Sequence, residues 1–191
     1  MATGGESIPR LYTRTGDRGA TRLSGGARVD KDSPRVRAYG AYDEVGAQLG
    51  VAHAALTEPP EDLRNLVRRL QHELFVVQSE LAHASPARAP RHRIEGRHVQ
   101  HLEADIDRLT AEVSPLRSFV LNGGSPAAAA LHVARTVARR AEQELWTLHR
   151  SEPQRPELLQ WANRLSDLLF ALALSANHRA GVREVPPDYE V

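Results

Sequence analysis

Apolar residues recur every three or four positions over most of this chain, and that period predicts helices rather than strands. Between 61 and 84, Leu63, Leu66, Val67, Leu70, Leu74, Val77 and Leu81 fall on one stripe, which should face a core. A shorter segment, 95 to 112, repeats the pattern with Val99, Leu102, Ile106 and Leu109 and stops at Ser114 and Pro115. The segment from Val36 to about Leu56 is rich in alanine and carries Asp43 and Glu44 near its start. NGGSP at 122 to 126 reads as a turn leading into a helix, with Ser125 as N-cap and Pro126 at the first helical position, and that helix should run to about His149. A last helix spans about Glu157 to His178 and is apolar nearly all round. Five helices with short connections and no clear strands predict an all-α fold, an antiparallel five-helix bundle.

Two stretches break the helical period. Residues 10 to 34 are glycine-rich and read as an irregular ordered loop ahead of the bundle, while 83 to 93 mixes prolines with basic residues and reads as a solvated connection. The expected organisation is one domain over 1–191: a disordered start at 1–9, the loop at 10–34, the bundle at 35–179 and an irregular tail at 180–191. A length of 191 residues with 41% hydrophobic content supports one substantial core.

Charge narrows the choice of partners. Twenty-five lysines and arginines against 24 aspartates and glutamates leave a formal charge of +1, so no long-range field gathers nucleic acid or an anionic membrane, and any anion must be bound locally. Cysteine is absent, which excludes disulfides, thiolate metal sites and a thiol nucleophile, and agrees with a reducing cytoplasmic setting. The first residues lack a basic segment followed by an apolar run, so no secretory signal is expected, and no run is apolar enough for a membrane span.

Three clusters carry candidate chemistry. In TRTGDRGATRL, Gly16 and Gly19 let backbone N–H groups converge on an anion. Thr13, Thr15 and Thr21 add hydroxyls there, and Arg14, Arg18 and Lys31, the sole lysine, add charge. An ordinary surface turn is the competing reading, and the loop is neither a P-loop nor a dinucleotide fingerprint. In the helix after Pro126, Arg135, Arg139 and Glu142 share a side with His132 one turn earlier, among alanines that allow close helix approach. A solvated face with an Arg139–Glu142 pair is the alternative there. In the last helix Asn163, Asp167, Phe170 and Asn177 form a polar stripe between leucine faces, suited to an enclosed site, a subunit contact or internal hydrogen bonding.

In order, YTRTGDRGATRL, RVRAYGAYDEVGAQLG, FVLNGGSPAAAALHVARTVARRAE and NRLSDLLFALA resemble the signature stretches of the PduO-type ATP:cob(I)alamin adenosyltransferases, from about Leu11 to about Asn177. That resemblance implies a homotrimer with ATP bound between subunits. It implies that Thr13, Arg14, Thr15, Gly16, Asp17, Gly19, Thr21 and Lys31 hold the triphosphate with its Mg²⁺, which is bound mainly through the phosphates. Arg135 matches an arginine that pairs with a neighbouring subunit's aspartate, here Asp43; Arg139 matches one that contacts the phosphates, and Glu142 and Asn163 belong to the same ATP site. Phe119 matches the aromatic residue beside the corrin, with Phe170 assigned to the same cobalamin side. Two positions depart from the pattern: Asn122 replaces a proline of the turn, and Leu174 stands where many members carry arginine.

The implied reaction is attack of cobalt(I) on C5′ of ATP with release of triphosphate. It needs no general base, because the nucleophile has no proton to lose. The protein's tasks are positioning and stabilising the charge that grows on the leaving group. Cobalamin also keeps an axial base on cobalt that hinders reduction, so an apolar wall at Phe119 would favour the form without it. A cobalamin reductase and an adenosylcobalamin-dependent enzyme are the implied partners. A non-catalytic carrier or sensor of ATP or corrinoid is the alternative, and an arginine-rich nucleic-acid binder is disfavoured by the near-neutral, interleaved charge.

Overall fold

The computed structural model describes residues 12–57, 61–84 and 89–191. The expectations for residues 1–9 and for the middle of the proline-rich connection, 85–88, fall outside that set. Five helices carry the fold: α1 (Pro34–Ala55), α2 (Glu61–Leu81), α3 (Gly96–Thr110), α4 (Pro126–Ser151) and α5 (Pro156–Arg179). Each lies within three residues of the span read from periodicity. Proline opens α1, α4 and α5, where its missing N–H costs nothing, and Ser125 caps α4 by accepting from the Ala128 N–H at 3.2 Å.

The core is continuous through all five helices. α1 buries Ala38, Ala41, Tyr42, Val45, Leu49 and Ala52 along one face, although further alanines and glycines around the helix blur that stripe in the sequence. α1 and α4 make the most extensive helix contact among the described residues, and Ala38, Ala41, Val45 and Ala52 of α1 and Ala127, Ala134, Ala138 and Ala141 of α4 all belong to the buried core. Tyr42 and Trp161 are fully buried at its centre, their rings tilted and 6.4 Å apart. The Trp161 indole N–H donates to the buried Glu73 carboxylate at 2.7 Å, which in turn pairs with Arg69. A buried carboxylate is tolerated here because both its partners are supplied.

The loop expected to be irregular contains two short strands, β1 (Ala20–Arg22) and β2 (Arg28–Asp30), paired antiparallel with Thr21 opposite Val29. Strands of three residues, Ala-Thr-Arg and Arg-Val-Asp, hold one apolar residue each and are too short to show an alternation, so periodicity does not detect them. Gly25 and Gly26 take positive φ at the turn. The Ser24 N–H donates to the Ala82 carbonyl, which docks the hairpin on the C-terminal end of α2. Beyond Lys31 the chain enters α1, where the buried Arg35 reaches the Leu81 carbonyl and the Glu152 carboxylate. The loop is thereby fixed to the end of the bundle at which α1 begins and α4 finishes.

Candidate functional site

Two concave regions hold the predicted residues, and they are separate. The first is a cleft of about 830 Å³ within the loop, bounded by Arg14, Thr15, Gly16, Asp17, Thr21 and Arg28. Thr13 and Thr15 share a hydroxyl hydrogen bond of 2.8 Å. Arg14 between them adopts a positive φ of 58°, a conformation that costs a non-glycine residue about 1–2 kcal/mol. The Gly19 N–H donates to Gly16 and the Lys31 N–H to Gly19, and these bonds fold the segment back on itself. A Cβ on Gly16 would lie 3.1 Å from the Lys31 ammonium, so the glycine is what lets that cation settle onto the loop. The grouping of ammonium, hydroxyls and arginines suits a polyphosphate.

The second region is a pocket of about 590 Å³ between the middles of α4 and α5 and the 116–122 segment. It gathers Arg135, Arg139, Asp167, Phe119 and Phe170, residues from three separate stretches of sequence. Phe119 is 81% exposed, and an aromatic ring held open to solvent beside cations is a recognition surface rather than core. The Arg135 guanidinium lies 5.7 Å from the Phe170 ring centre and donates to the Asn122 side-chain oxygen at 3.0 Å. No carboxylate pairs with Arg135 or Arg139 among the described residues. Burial, with the charge of Arg139 second, pulls Arg135 below the usual guanidinium value, as expected of a cation awaiting an anion.

Behind this pocket sits His132, 2% exposed, with neither ring nitrogen hydrogen bonded and its ring 6.0 Å from Phe170. Burial first and Arg135 second hold it below the usual imidazole range, so it backs the pocket as a neutral ring. Further along α4, Glu142 accepts from Asn163 at 3.2 Å rather than pairing with Arg139, and Asn163 is itself fixed by Arg164 at 2.7 Å. The charge of Glu142 also adds to the burial that raises the Tyr42 phenol above its ordinary value.

Among the readings of the α5 polar stripe, internal hydrogen bonding holds for Asn177. Asn177 does not share the Asn163 stripe's role: it is 1% exposed and holds the turn before α4, accepting from the Ser125 N–H and donating to the Gly123 carbonyl and to Glu184. Internal hydrogen bonding is its function. The turn position Asn122 is more than turn geometry, since it contacts Arg135, and Leu174 lines a neighbouring cavity. Neither role could be read from periodicity, because both depend on where the irregular 113–122 segment crosses α4 and α5.

Asp43 is exposed on α1 and lines neither region. No loop residue lines the arginine pocket. Arg139 precedes Glu152, the α4 end to which the loop is fixed, by thirteen residues, which is about 20 Å of helix at 1.5 Å per residue. No group of three or more histidines and carboxylates is arranged to hold a metal among the described residues. No described helix is long and apolar enough to cross a membrane.

The sequence matches the cobalamin adenosyltransferase family over residues 11–176. It is 43% identical to a corrinoid adenosyltransferase of Bacillus subtilis, covering 95% of this chain and 92% of that protein. It is 45% identical to the corrinoid adenosyltransferase PduO of Salmonella typhimurium over 94% of this chain; there it spans about half of the relative, 54%. Among solved structures, a variant PduO-type ATP:corrinoid adenosyltransferase from Lactobacillus reuteri, complexed with cobalamin and ATP, superposes with a TM-score of 0.87 at 34% identity, covering 93% of this chain and 99% of that one.

Proposed function

The chain belongs to the cobalamin adenosyltransferase family, and from that premise we propose that it transfers the 5′-deoxyadenosyl group of ATP to the cobalt of cob(I)alamin and releases triphosphate. The observation that carries this reading is the pocket in which two guanidiniums without carboxylate partners face an exposed phenylalanine and a second aromatic ring. Its charged groups are three arginines and one aspartate, a set suited to holding and neutralising anions rather than moving protons. A new cobalt–carbon bond forms as the C5′–oxygen bond to triphosphate breaks, so negative charge develops on the leaving oxygen. Arg139 and Lys31 supply fixed positive charge for it. Mg²⁺, when bound, would neutralise part of the triphosphate charge, and Asp17 with the Thr13 and Thr15 hydroxyls can hold its hydration shell. Phe119 and Phe170 provide the apolar wall against which a corrin without its axial base rests.

The site is built between subunits in this reading. The loop cleft and the arginine pocket share no lining residue, and Arg139 stands about 20 Å of helix from the α4 end to which the loop is fixed, more than a triphosphate spans. A head-to-tail contact brings one chain's loop to the next chain's arginines, and such contacts close into rings, a trimer being the proposed one. Asp43, exposed and unpaired among the described residues, is then available to Arg135 of the neighbour. Cytoplasmic location, and exchange of substrate and product with a reductase and an adenosylcobalamin-dependent enzyme, belong to the same proposal.

The test is a spectrum. The protein mixed with ATP, Mg²⁺ and chemically reduced cobalamin should produce the light-sensitive spectrum of adenosylcobalamin with stoichiometric triphosphate. Binding of both substrates with no alkylated product would leave a carrier.

A further inference from the structure

A third cavity, of about 340 Å³, opens where the end of α5, the 113–120 segment and the tail at 182–186 meet. The tail is tied in place: the Val182 N–H donates to the Asn177 carbonyl, and the Leu121 N–H to the Val185 carbonyl, at 2.9 and 2.8 Å. Val113, Val120, Leu174 and Val182 give the cavity an apolar interior, with Leu174 only 5% exposed at its floor. Around it stand Arg117, His178 and Arg183, all exposed and with no side-chain hydrogen bond or ion pair among the described residues. An apolar seat of this size with unpaired cations at the rim fits a flat apolar ring that carries an anion. Leu116, Arg117, Ser118 and Val120 line both this cavity and the pocket of Phe119 and Phe170, so the two are divided by one segment of chain.

We propose that this cavity receives the nucleotide tail of cobalamin after its axial base leaves cobalt. The inference rests on the corrinoid reading above. The displaced base is an apolar heteroaromatic ring, tethered to the corrin through a ribose and a phosphodiester monoanion. The ring matches the Val113, Leu174 and Val182 interior, and the phosphodiester matches the guanidinium of Arg183, with Arg117 on the shared wall. A tethered ligand must find its seat close to the corrin, which the common wall provides. An arginine in place of Leu174 would put charge on the floor, so this chain's leucine at that position is what makes the seat apolar. Capture of the tail also opposes its return to cobalt, and so favours the form that is reduced and alkylated. An adenosine phosphate has related chemistry, which makes ATP the necessary control.

The test compares cob(I)alamin with cob(I)inamide, the same corrin without the nucleotide tail, in the full-length protein. The wild type should show a lower KM for cobalamin than for cobinamide. Arg183→Glu should raise the KM for cobalamin roughly tenfold, the effect of losing one charge-assisted contact, while the KM values for cobinamide and ATP hold within about twofold. Leu174→Arg should show the same selectivity, with turnover of cobinamide reporting that the fold is intact. Equal wild-type KM values, parallel losses on both corrinoids, a rise confined to ATP, or no change in either variant would overturn the proposal while leaving the adenosyl-transfer reading standing. Failure of the wild type to alkylate either corrinoid would remove both.

Discussion

Gly124→Ala should destabilise the protein severely, although the residue touches no substrate. Gly124 has φ of 104°, and a Cβ there would sit 2.2 Å from the side-chain oxygen of Asn177 and 2.4 Å from its nitrogen. Asn177 is buried and cannot swing into solvent, so the methyl group displaces its amide. That breaks the bonds to the Ser125 N–H at 2.8 Å and to the Gly123 carbonyl and Glu184 at 3.0 Å each. Left-handed strain contributes about 1–2 kcal/mol. Two or three lost buried hydrogen bonds add about 1 kcal/mol each, for a total of about 3–5 kcal/mol. For a chain of this length, each kcal/mol moves Tm by about 2–4 °C, so a fall of about 6–20 °C is expected in a thermal melt followed by circular dichroism. Asn177→Ala should lose the hydrogen bonds without the strain, and the double variant should be much less than additive because both changes act on one contact. A Tm within about 2 °C of wild type for Gly124→Ala would refute the reasoning.

Arg139→Ala should lower kcat/KM about 10²–10³-fold, the usual effect of removing one donor aimed at developing charge, with an unchanged melt because Arg139 is exposed and makes no ion pair among the described residues; an unchanged rate would take it out of the mechanism. Gly16→Ala should raise the KM for ATP several-fold at constant Tm, because the 3.1 Å approach displaces only the flexible end of Lys31, and an unaltered KM would contradict the placement of Lys31 on the phosphates. Hydrogen bonds from Arg179 are the first cause holding Asp62 and Glu112 below the ordinary carboxylate range. Depressed folded values mean stability that is present above the unfolded pKa of about 4 and is lost as pH falls through the folded values. Arg179→Ala should therefore flatten the decline of Tm below about pH 4, modestly, since Asp62 is largely exposed and screened; an equally steep decline would show that the cluster does not matter.

Helices were legible because their signal is repeated. Seven apolar residues on one face of α2 leave little choice, and Ser125–Pro126 marks the start of α4 by capping chemistry alone. The hairpin was not legible, because three-residue strands with one apolar residue each are too short to show a period. Among the site residues, Arg135, Arg139 and Phe170 lie on regular helices, where spacing fixes direction, and their shared pocket follows from the α4–α5 contact. Glu142 and Asn177 mark the limit of that reasoning. A helical wheel places Glu142 beside Arg139, but a partner on α5, Asn163, takes it; the wheel places Asn177 with Asn163, but the turn before α4 claims it. Spacing gives the face of a helix, and only the packing of other segments decides what meets that face.

The claim that one chain's loop completes another chain's arginine pocket is tested most directly by mixing two inactive variants. Lys31→Ala removes the loop cation and Arg139→Ala the pocket cation, and each chain in the mixture carries one defect. After dissociation and reassembly at equal ratio, random pairing at a head-to-tail interface gives about one quarter of sites both groups, so activity should return to about a quarter of wild type. A mixture that stays as inactive as its components would place both groups in the same chain and contradict the account.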